Sequence, residues 1–334
     1  MFEAILAICI GTGACRDVLL PGFEAPTLAA CEAALAARSR PTAHCTPAGE
    51  ALPFTEVAPG VFVHEGRVEE PDADNGGDVS NIAFVVGARS VAVIDSGGAA
   101  WVGEAAWRAI RAHTDLPVSH LILTHLHPDH VFGAKVFAEA GVQIVGHDGL
   151  ARALAERRDT YTDSFARLIG PARFIGSDIP RIEVLVARTE TIDLGERVLE
   201  LTAWPQAHTA TDLTVFDPAS GILFAGDLLF DRHVPALDGS LRGWQEVLAE
   251  MTAGPATRAV PGHGGPLLDW PESAAPLVRY LDTLAADTRA ALESGARMGE
   301  ATQTIAAGEA GRWQLFDAFN ARNATVAFGE LEWE

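Results

Sequence analysis

Five histidines and two aspartates in this chain are spaced as ligands of one metal centre. His125, His127, Asp129 and His130 stand together in the run Thr124-His-Leu-His-Pro-Asp-His, and His208, Asp227 and His263 follow at long intervals. Imidazole and carboxylate are donors that Zn²⁺ accepts, and two such ions side by side make hydroxide available near neutral pH. The expected chemistry is therefore metal-dependent hydrolysis. His-x-His-x-Asp-His alone would also suit a structural zinc site or a surface cluster, and Ala-Gly-Asp227 alone is an ordinary turn. The weight lies in the agreement of parts that are distant in sequence.

The elements around these residues explain how they can meet. An apolar strand, Leu121–Leu123, leads into the motif. Residues two apart in extended chain share a side, so His125 and His127 can reach one ion. Pro128 redirects the chain, and a helix expected from Asp129 to Ala140, stopped by Gly141, aims Asp129 and His130 at a second ion. His208 follows a strand over Val198–Trp204 and completes the first site. Asp227 follows Leu223–Ala225 and can bridge both ions, and His263, in a loop after Arg258–Val260, completes the second. Each ligand is thus expected on a loop after a strand, at one rim. Further strands are expected at Ile82–Val86, Ser90–Asp95, Val142–Val145 and Leu213–Asp217, with helices over Trp101–His113, much of 148–185, Leu241–Met251 and Pro276–Ser294. Two strand-rich halves separated by helices suit an α/β fold, a layered αββα sandwich with the site at one edge of its sheets.

Composition narrows the function. The chain has 334 residues, is 48% hydrophobic and carries a net charge of -21, with Lys135 as its one lysine. Such a surface repels phosphate backbones, so nucleic acid is not an expected partner and a small molecule is the expected substrate. No apolar stretch is long enough to span a bilayer. The apolar start, Met1 to Ile10, carries Glu3 and lacks a basic flank, which makes a poor secretory signal. All four cysteines (Cys9, Cys15, Cys31, Cys45) lie near the N-terminus, as in a small disulfide-stapled module. Three pairings are open. Strands are expected at Ile5–Ile10 and Arg16–Leu20 around a Gly-containing turn, then a helix capped by Thr27 and a linker from Ser39 to Pro53. An oxidising, periplasmic or otherwise exported location follows, with a cytoplasmic one as the alternative.

The ligand set, together with Ala92-Val-Ile-Asp-Ser-Gly-Gly98, resembles the metallo-β-lactamase superfamily over about Phe54 to Ser294. The resemblance implies that Asp95 is a buried acid supporting the histidine loop, a position where a turn-forming Asp is the plainer alternative. Asp at 227 is similar to glyoxalase II-like hydrolases, where lactamases usually have Cys or Ser. Val234-Pro-Ala-Leu-Asp-Gly-Ser-Leu-Arg-Gly-Trp244, the cysteine-bearing start and the ending from Arg322 to Glu334 resemble the quinoprotein relay system zinc metallohydrolases. That implies an N-terminal module and linker over 1–52, a catalytic domain over 53–297 and a C-terminal extension over 298–334. It also implies a link to a periplasmic quinoprotein dehydrogenase system. The expected function is attack of a metal-bridging hydroxide on an ester, thioester or amide carbonyl, with two Zn²⁺ (Fe or Mn²⁺ also suit the donors) and Asp129 orienting the nucleophile. Alternatives are an iron-dependent oxidoreductase resembling persulfide dioxygenases, or a non-catalytic metal-binding partner of a dehydrogenase relay. His147 and His233 are candidate substrate contacts near the rim. No Gly-x-Ser-x-Gly elbow competes with the metal chemistry.

Overall fold

The computed structural model describes residues 1–10, 13–40 and 42–334. The Gly-containing turn expected between the first two strands falls partly on positions 11 and 12, outside the described residues, as does Pro41 of the expected linker.

The chain opens with β1 (Phe2–Ile10), β2 (Ala14–Ala25), α1 (Leu28–Ala37) and β3 (His44–Pro47). These strands form their own three-stranded sheet, ordered β2-β1-β3. Thr27 caps α1 as its type suggests, its Oγ1 accepting from the Ala30 amide at 3.2 Å. Part of the expected linker is strand, because His44–Pro47 finds a free edge on β1. Of the three open pairings the structure has Cys9–Cys15, directly opposite across the β1–β2 hairpin, and Cys31–Cys45, which ties α1 to β3.

A seven-stranded sheet follows, with β4 (Thr55–Ala58), β5 (Val61–His64), β6 (Ile82–Val86), β7 (Val91–Ile94), β8 (Val118–Ile122), β9 (Gln143–His147) and β10 (Val184–Val186) running in order across it. Its connections supply α2 (Ala100–His113), α3 (Pro128–Val131), α4 (Lys135–Glu139), α5 (Leu150–Ile169) and α6 (Pro171–Phe174). A six-stranded sheet holds β11 (Thr189–Asp193), β12 (Val198–Ala203), β13 (Leu213–Asp217), β14 (Ile222–Phe230), β15 (Arg258–His263) and β16 (Leu268–Asp269). With it come α7 (Leu241–Thr252), α8 (Ala275–Glu293), α9 (Met298–Ala301) and α10 (Phe316–Leu331).

Period-two alternation sorts these strands into layers. In β7, Ala92 and Ile94 face the other sheet, whereas Val91 and Val93 face α2 and its neighbours. In β14, Ile222 and Phe224 enter the same inter-sheet core, and Leu223 and Ala225 pack toward α7, α8 and α10. The result is the expected αββα sandwich. Neighbouring strands buried on both faces read as near-continuous apolar runs, which is why these segments were legible.

The single helix expected over Asp129–Ala140 is instead two short ones, α3 and α4, separated at Phe132–Ala134. Gly133 lies in that break, and a Cβ there would come within 1.9 Å of the Ser96 carbonyl oxygen. The tight approach packs the break against the loop after β7. Two backbone bonds lace the sheets together at the rim. Leu213 donates to the Thr124 carbonyl and Asn81 to the Gly262 carbonyl, both at 2.8 Å.

The N-terminal sheet docks on α2 through a reciprocal pair of ionic contacts. Arg16 meets Glu104 with two bonds of 2.9 and 2.7 Å, and Arg108 meets Glu3 at 2.8 and 2.9 Å. Glu24 accepts from the Trp107 indole at 2.6 Å, and Leu19 enters the α2 core. Both carboxylates of the ionic pairs are 3% exposed, so losing a partner strands a charge. Arg16→Ala, which strands the Glu104 carboxylate, is therefore expected to lower stability by about 3 kcal/mol, read as a shift of the urea midpoint. A shift below about 1 kcal/mol would mean that water replaces the partner freely.

Candidate metal centre

The run after β8 bends at His125 and Leu126 and is extended again at His127 (φ -66°, ψ 145°), and Pro128 then opens α3. Pro fits the first helical position, where no amide bond is lost. Asp129 and His130 follow within that one turn. His208 lies in the loop between β12 and β13. Asp227 and His263 are not beyond their strands as expected: β14 and β15 both extend to include them. The pairing of these two strands is irregular between Phe224 and Phe230, a distortion of the kind that re-aims a side chain. Close packing fixes the result, since a Cβ on Gly262 would lie 1.8 Å from Asp227 Oδ1.

All seven candidate ligands converge. Donor atoms of His125, His127, His208 and Asp227 lie within 4.8 Å of one another, and so do those of Asp129, His130 and His263. Asp227 sits between the groups. Its Oδ2 is 3.6 Å from His125 Nε2, 3.4 Å from His208 Nε2 and 3.4 Å from His263 Nε2. Its Oδ1 is 3.2 Å from His130 Nε2. Asp129 Oδ2 lies 3.3 Å from His263 Nε2 and 3.5 Å from His130 Nε2.

The outward nitrogen of each imidazole is held by a partner that accepts or relays a proton. His208 Nδ1 donates to the Ala236 carbonyl at 2.6 Å and His263 Nδ1 to the Val79 carbonyl at 2.8 Å. His130 Nδ1 donates to Asp95 Oδ2 at 2.8 Å. His125 Nδ1 meets Thr124 Oγ1 at 2.9 Å, and that hydroxyl passes its own proton to Asp95 at 2.8 Å. Asp95 also accepts from the Thr124 amide at 2.8 Å. Its backbone is left-handed (φ 60°), a strained setting for a non-glycine residue that points the carboxylate under the histidine loop. These four rings therefore turn Nε2 inward. His127 is reversed: Nε2 faces Asp238 Oδ2 at 3.3 Å, and Nδ1 points in, 3.1 and 3.0 Å from Nε2 of His125 and His208. Such outer bonds fix tautomer and ring orientation for ligation.

The donor set fits divalent cations. Asp227 Oδ1 and His130 Nε2 are buried without a hydrogen-bond partner, a costly state that a shared cation relieves. Burial first, then repulsion from neighbouring imidazoles, drives the His208 ring down to about 3 and His125 well below its usual value. Both are neutral ligands at pH 7. Burial acts the same way on His130 and His263, but Asp227 and Asp129 outweigh it, raising His130 well above its usual value and His263 to about 10. Those imidazoles in turn hold both carboxylates below their usual range, against burial.

A cavity of about 490 Å³ opens onto the centre and is lined by His127, Asp129, Asp227 and His263. Tyr161, Phe165 and Leu168 of α5 form one wall, and Phe319, Arg322 and Val326 of α10 another. His233 also lines it, its ring 5.1 Å from that of His263 and driven down to about 4 by burial and that neighbour. His147 does not. It lines a separate cavity with Trp204 and Glu250, its Nε2 donating to the Trp204 carbonyl at 3.2 Å.

Sequence reasoning passed over several residues. Asp238 holds His127 and is itself gripped by Arg157 of α5. Burial opposes its ionisation, yet His127 and Arg157 bring it down to about 2. The signal was its place in Val234–Trp244, a segment noticed without a role. Asn323 of α10 accepts from the Leu237 amide at 2.9 Å and donates to the Pro235 carbonyl at 2.6 Å. It thus clamps both sides of Ala236, whose carbonyl orients His208. Nothing in the local pattern marks Asn323, because its partners are some 86–88 residues away.

Residues 75–263 match the family described as the Metallo-beta-lactamase superfamily. The chain belongs to that superfamily. It is similar to hydroxyacylglutathione hydrolase of Pseudomonas aeruginosa strain LESB58, with 30% identity over 174 residues, covering 52% of this chain and 55% of that one. The chain spans about half the length of the curated relatives it matches. Among solved structures, a metallo-beta-lactamase from Pontibacter korlensis superposes with TM-score 0.56 at 23% identity, covering 69% of this chain and 99% of that one. A metallo-beta-lactamase family protein from Thermus thermophilus gives 0.60 at 20%, covering 83% and 93%. The stereoselective inverting sec-alkylsulfatase Pisa1 from Pseudomonas sp. gives 0.65 at 15%, covering 84% and 50%. At these identities the structural likeness concerns the fold. The family-matched segment ends before α8 and α10, so the α10 wall of the cavity is additional to it.

Two outcomes are expected. With His263 raised to about 10, the metal-free centre is protonated at pH 7, and metal binding must expel that proton. Zinc titrated into stripped protein, followed calorimetrically in buffers of different ionisation enthalpy, should release protons, and apparent affinity should climb as pH rises toward 10. Separately, Asp238→Ala should weaken zinc binding about 10–100-fold in a chelator competition.

Proposed function

We propose that this chain is a binuclear zinc-dependent hydrolase of an ester, thioester or amide. The observation that carries the proposal is the convergence of seven candidate donors in two groups about Asp227, open to a cavity of about 490 Å³. The relatives named as hydroxyacylglutathione hydrolases support hydrolysis of an acyl compound. His125, His127 and His208 would hold one ion, Asp129, His130 and His263 the other, and Asp227 both. Bound there, the ions supply an acidic water and a Lewis acid for the carbonyl.

The rest falls to the protein. Asp129 lines the cavity and stays ionised, so its carboxylate can orient the attacking water and carry a proton from it. Ser80 Oγ donates to the Asp129 carbonyl and steadies that turn. Phe165, Phe230 and Phe319 exclude bulk water from the acyl group, which strengthens every charge interaction at the centre. Two disulfides support an oxidising compartment. Service to a periplasmic quinoprotein dehydrogenase system belongs to the same proposal and is supported by the sequence resemblance of the Val234–Trp244 segment and the C-terminus.

Elemental analysis should find two zinc ions per chain, and a chromogenic ester or lactam should be turned over. His208→Ala should lose one ion and reduce kcat/KM by orders of magnitude. Unchanged turnover in that variant would remove the metal-centred account.

A further inference from the structure

We propose that His64 is a positioning residue of this centre, anchoring a strap of residues 78–81 on which Asp129 and His263 lean. This deepens the binuclear hydrolase proposal and rests on it. β5 and β6 pair antiparallel with His64 opposite Ile82, yet the chain between them, 65–81, far exceeds the about 2–5 residues a hairpin needs. Connections of that length usually serve function. Its last four residues each make a separate tie. Asp78 Oδ1 accepts from His64 Nε2 at 2.8 Å. The Val79 carbonyl accepts from His263 Nδ1 at 2.8 Å. Ser80 Oγ donates to the Asp129 carbonyl. Asn81 donates from its amide to the Gly262 carbonyl at 2.8 Å and from its side chain to the Pro261 carbonyl at 2.9 Å. Residues 79–81 thus hold Asp129, His263 and the part of β15 that leads into His263.

The near end of the strap is fixed by charge. The His64 side chain is 4% exposed, and its two ring nitrogens face two acceptors, the Pro53 carbonyl at 2.9 Å and the Asp78 carboxylate. Both nitrogens must carry protons to satisfy them, so the ring is an imidazolium paired with Asp78. Burial opposes that charge. The hydrogen bond and charge of Asp78 outweigh it, the Pro53 carbonyl and Glu65 add to them, and the ring's pKa is raised. A buried pair of this kind adds little net stability, and what it supplies here is a fixed place for residue 78. The strap has little slack beyond that point, since a Cβ on Gly66 would come within 2.4 Å of the Ser80 carbonyl oxygen. A shift of Asp78 therefore passes to Val79 and Ser80, and through them to the His263 ring and the Asp129 backbone.

The test is zinc binding to the stripped chain in competition with a chelator. His64→Phe keeps an aromatic ring beside Phe54 and removes both bonds. It should weaken one of two ions about 10–100-fold and the other less than about 2-fold. Asp78→Ala should do the same, and Asp78→Asn, which keeps an accepting oxygen, should recover part of the loss. The double variant His64→Phe/Asp78→Ala should lose no more than His64→Phe alone, because the pair acts as one unit. In the metal-free chain the His263 Nδ1 proton, bonded to Val79, should give a slowly exchanging NMR signal that His64→Phe abolishes. Equal weakening of both ions, no weakening, or a lower urea midpoint with both ions and that signal kept overturns the assignment. Should the wild type take up fewer than two zinc ions, the binuclear proposal itself falls, and the His263 signal then decides the role of His64. Its loss in His64→Phe upholds the strap, and its persistence ends it.

Discussion

One buried carboxylate and a half-buried one beside it set the terms for this molecule. Asp227 is 4% exposed, and around it and Asp129, which faces the cavity, stand five imidazoles. Negative charge there is tolerable only when positive charge meets it at short range. Without metal, protons on His130 and His263 provide that charge. Divalent cations provide it better, because they also satisfy the donor atoms that protons leave unpartnered. The affinity for metal and the burial of the carboxylates are thus one physical fact.

The sandwich meets this demand by using the ends of strands from both sheets. The seven-stranded sheet delivers His125 to His130 beyond β8, and the six-stranded sheet delivers His208, Asp227 and His263. Backbone bonds from Leu213 to Thr124 and from Asn81 to Gly262 hold the two contributions in register. Rotation of each ring is then limited by its outer partner. Asp95 serves two histidines at once, one directly and one through Thr124. Its left-handed backbone is strain stored where two ligands share one support.

Two helices, α5 inside the family-matched segment and α10 outside it, shape the approach to this centre. Asn323 of α10 grips the Pro235–Leu237 stretch that orients His208, and the same helix supplies a cavity wall. Arg157 of α5 reaches Asp238 and so touches the support of His127. The two helices that line the pocket therefore also brace the ligands. The N-terminal sheet does neither. Its ion pairs and Leu19 grip α2, on the helix layer of the first sheet.

The sequence by itself determined the layered fold and picked out the seven side chains that the structure brings together. Apolar runs in β7 and β14 follow from burial on both faces, and His-x-His-x-Asp-His crowds four polar side chains into the turn after a strand. It also marked Asp95, although strand-ending and supporting roles look alike in one dimension. It erred at Phe132–Ala134, where helical periodicity is good but the Gly133 contact with Ser96 overrides it. It placed His147 near the rim, whereas the parallel register of β9 and β10 leaves that ring with Trp204. Which nitrogen each histidine turns inward, which cysteines pair, and the contacts of Asp238 and Asn323 were decided by tertiary structure alone. Each depends on a partner far away in the chain, and local pattern carries no information about contacts that only folding creates.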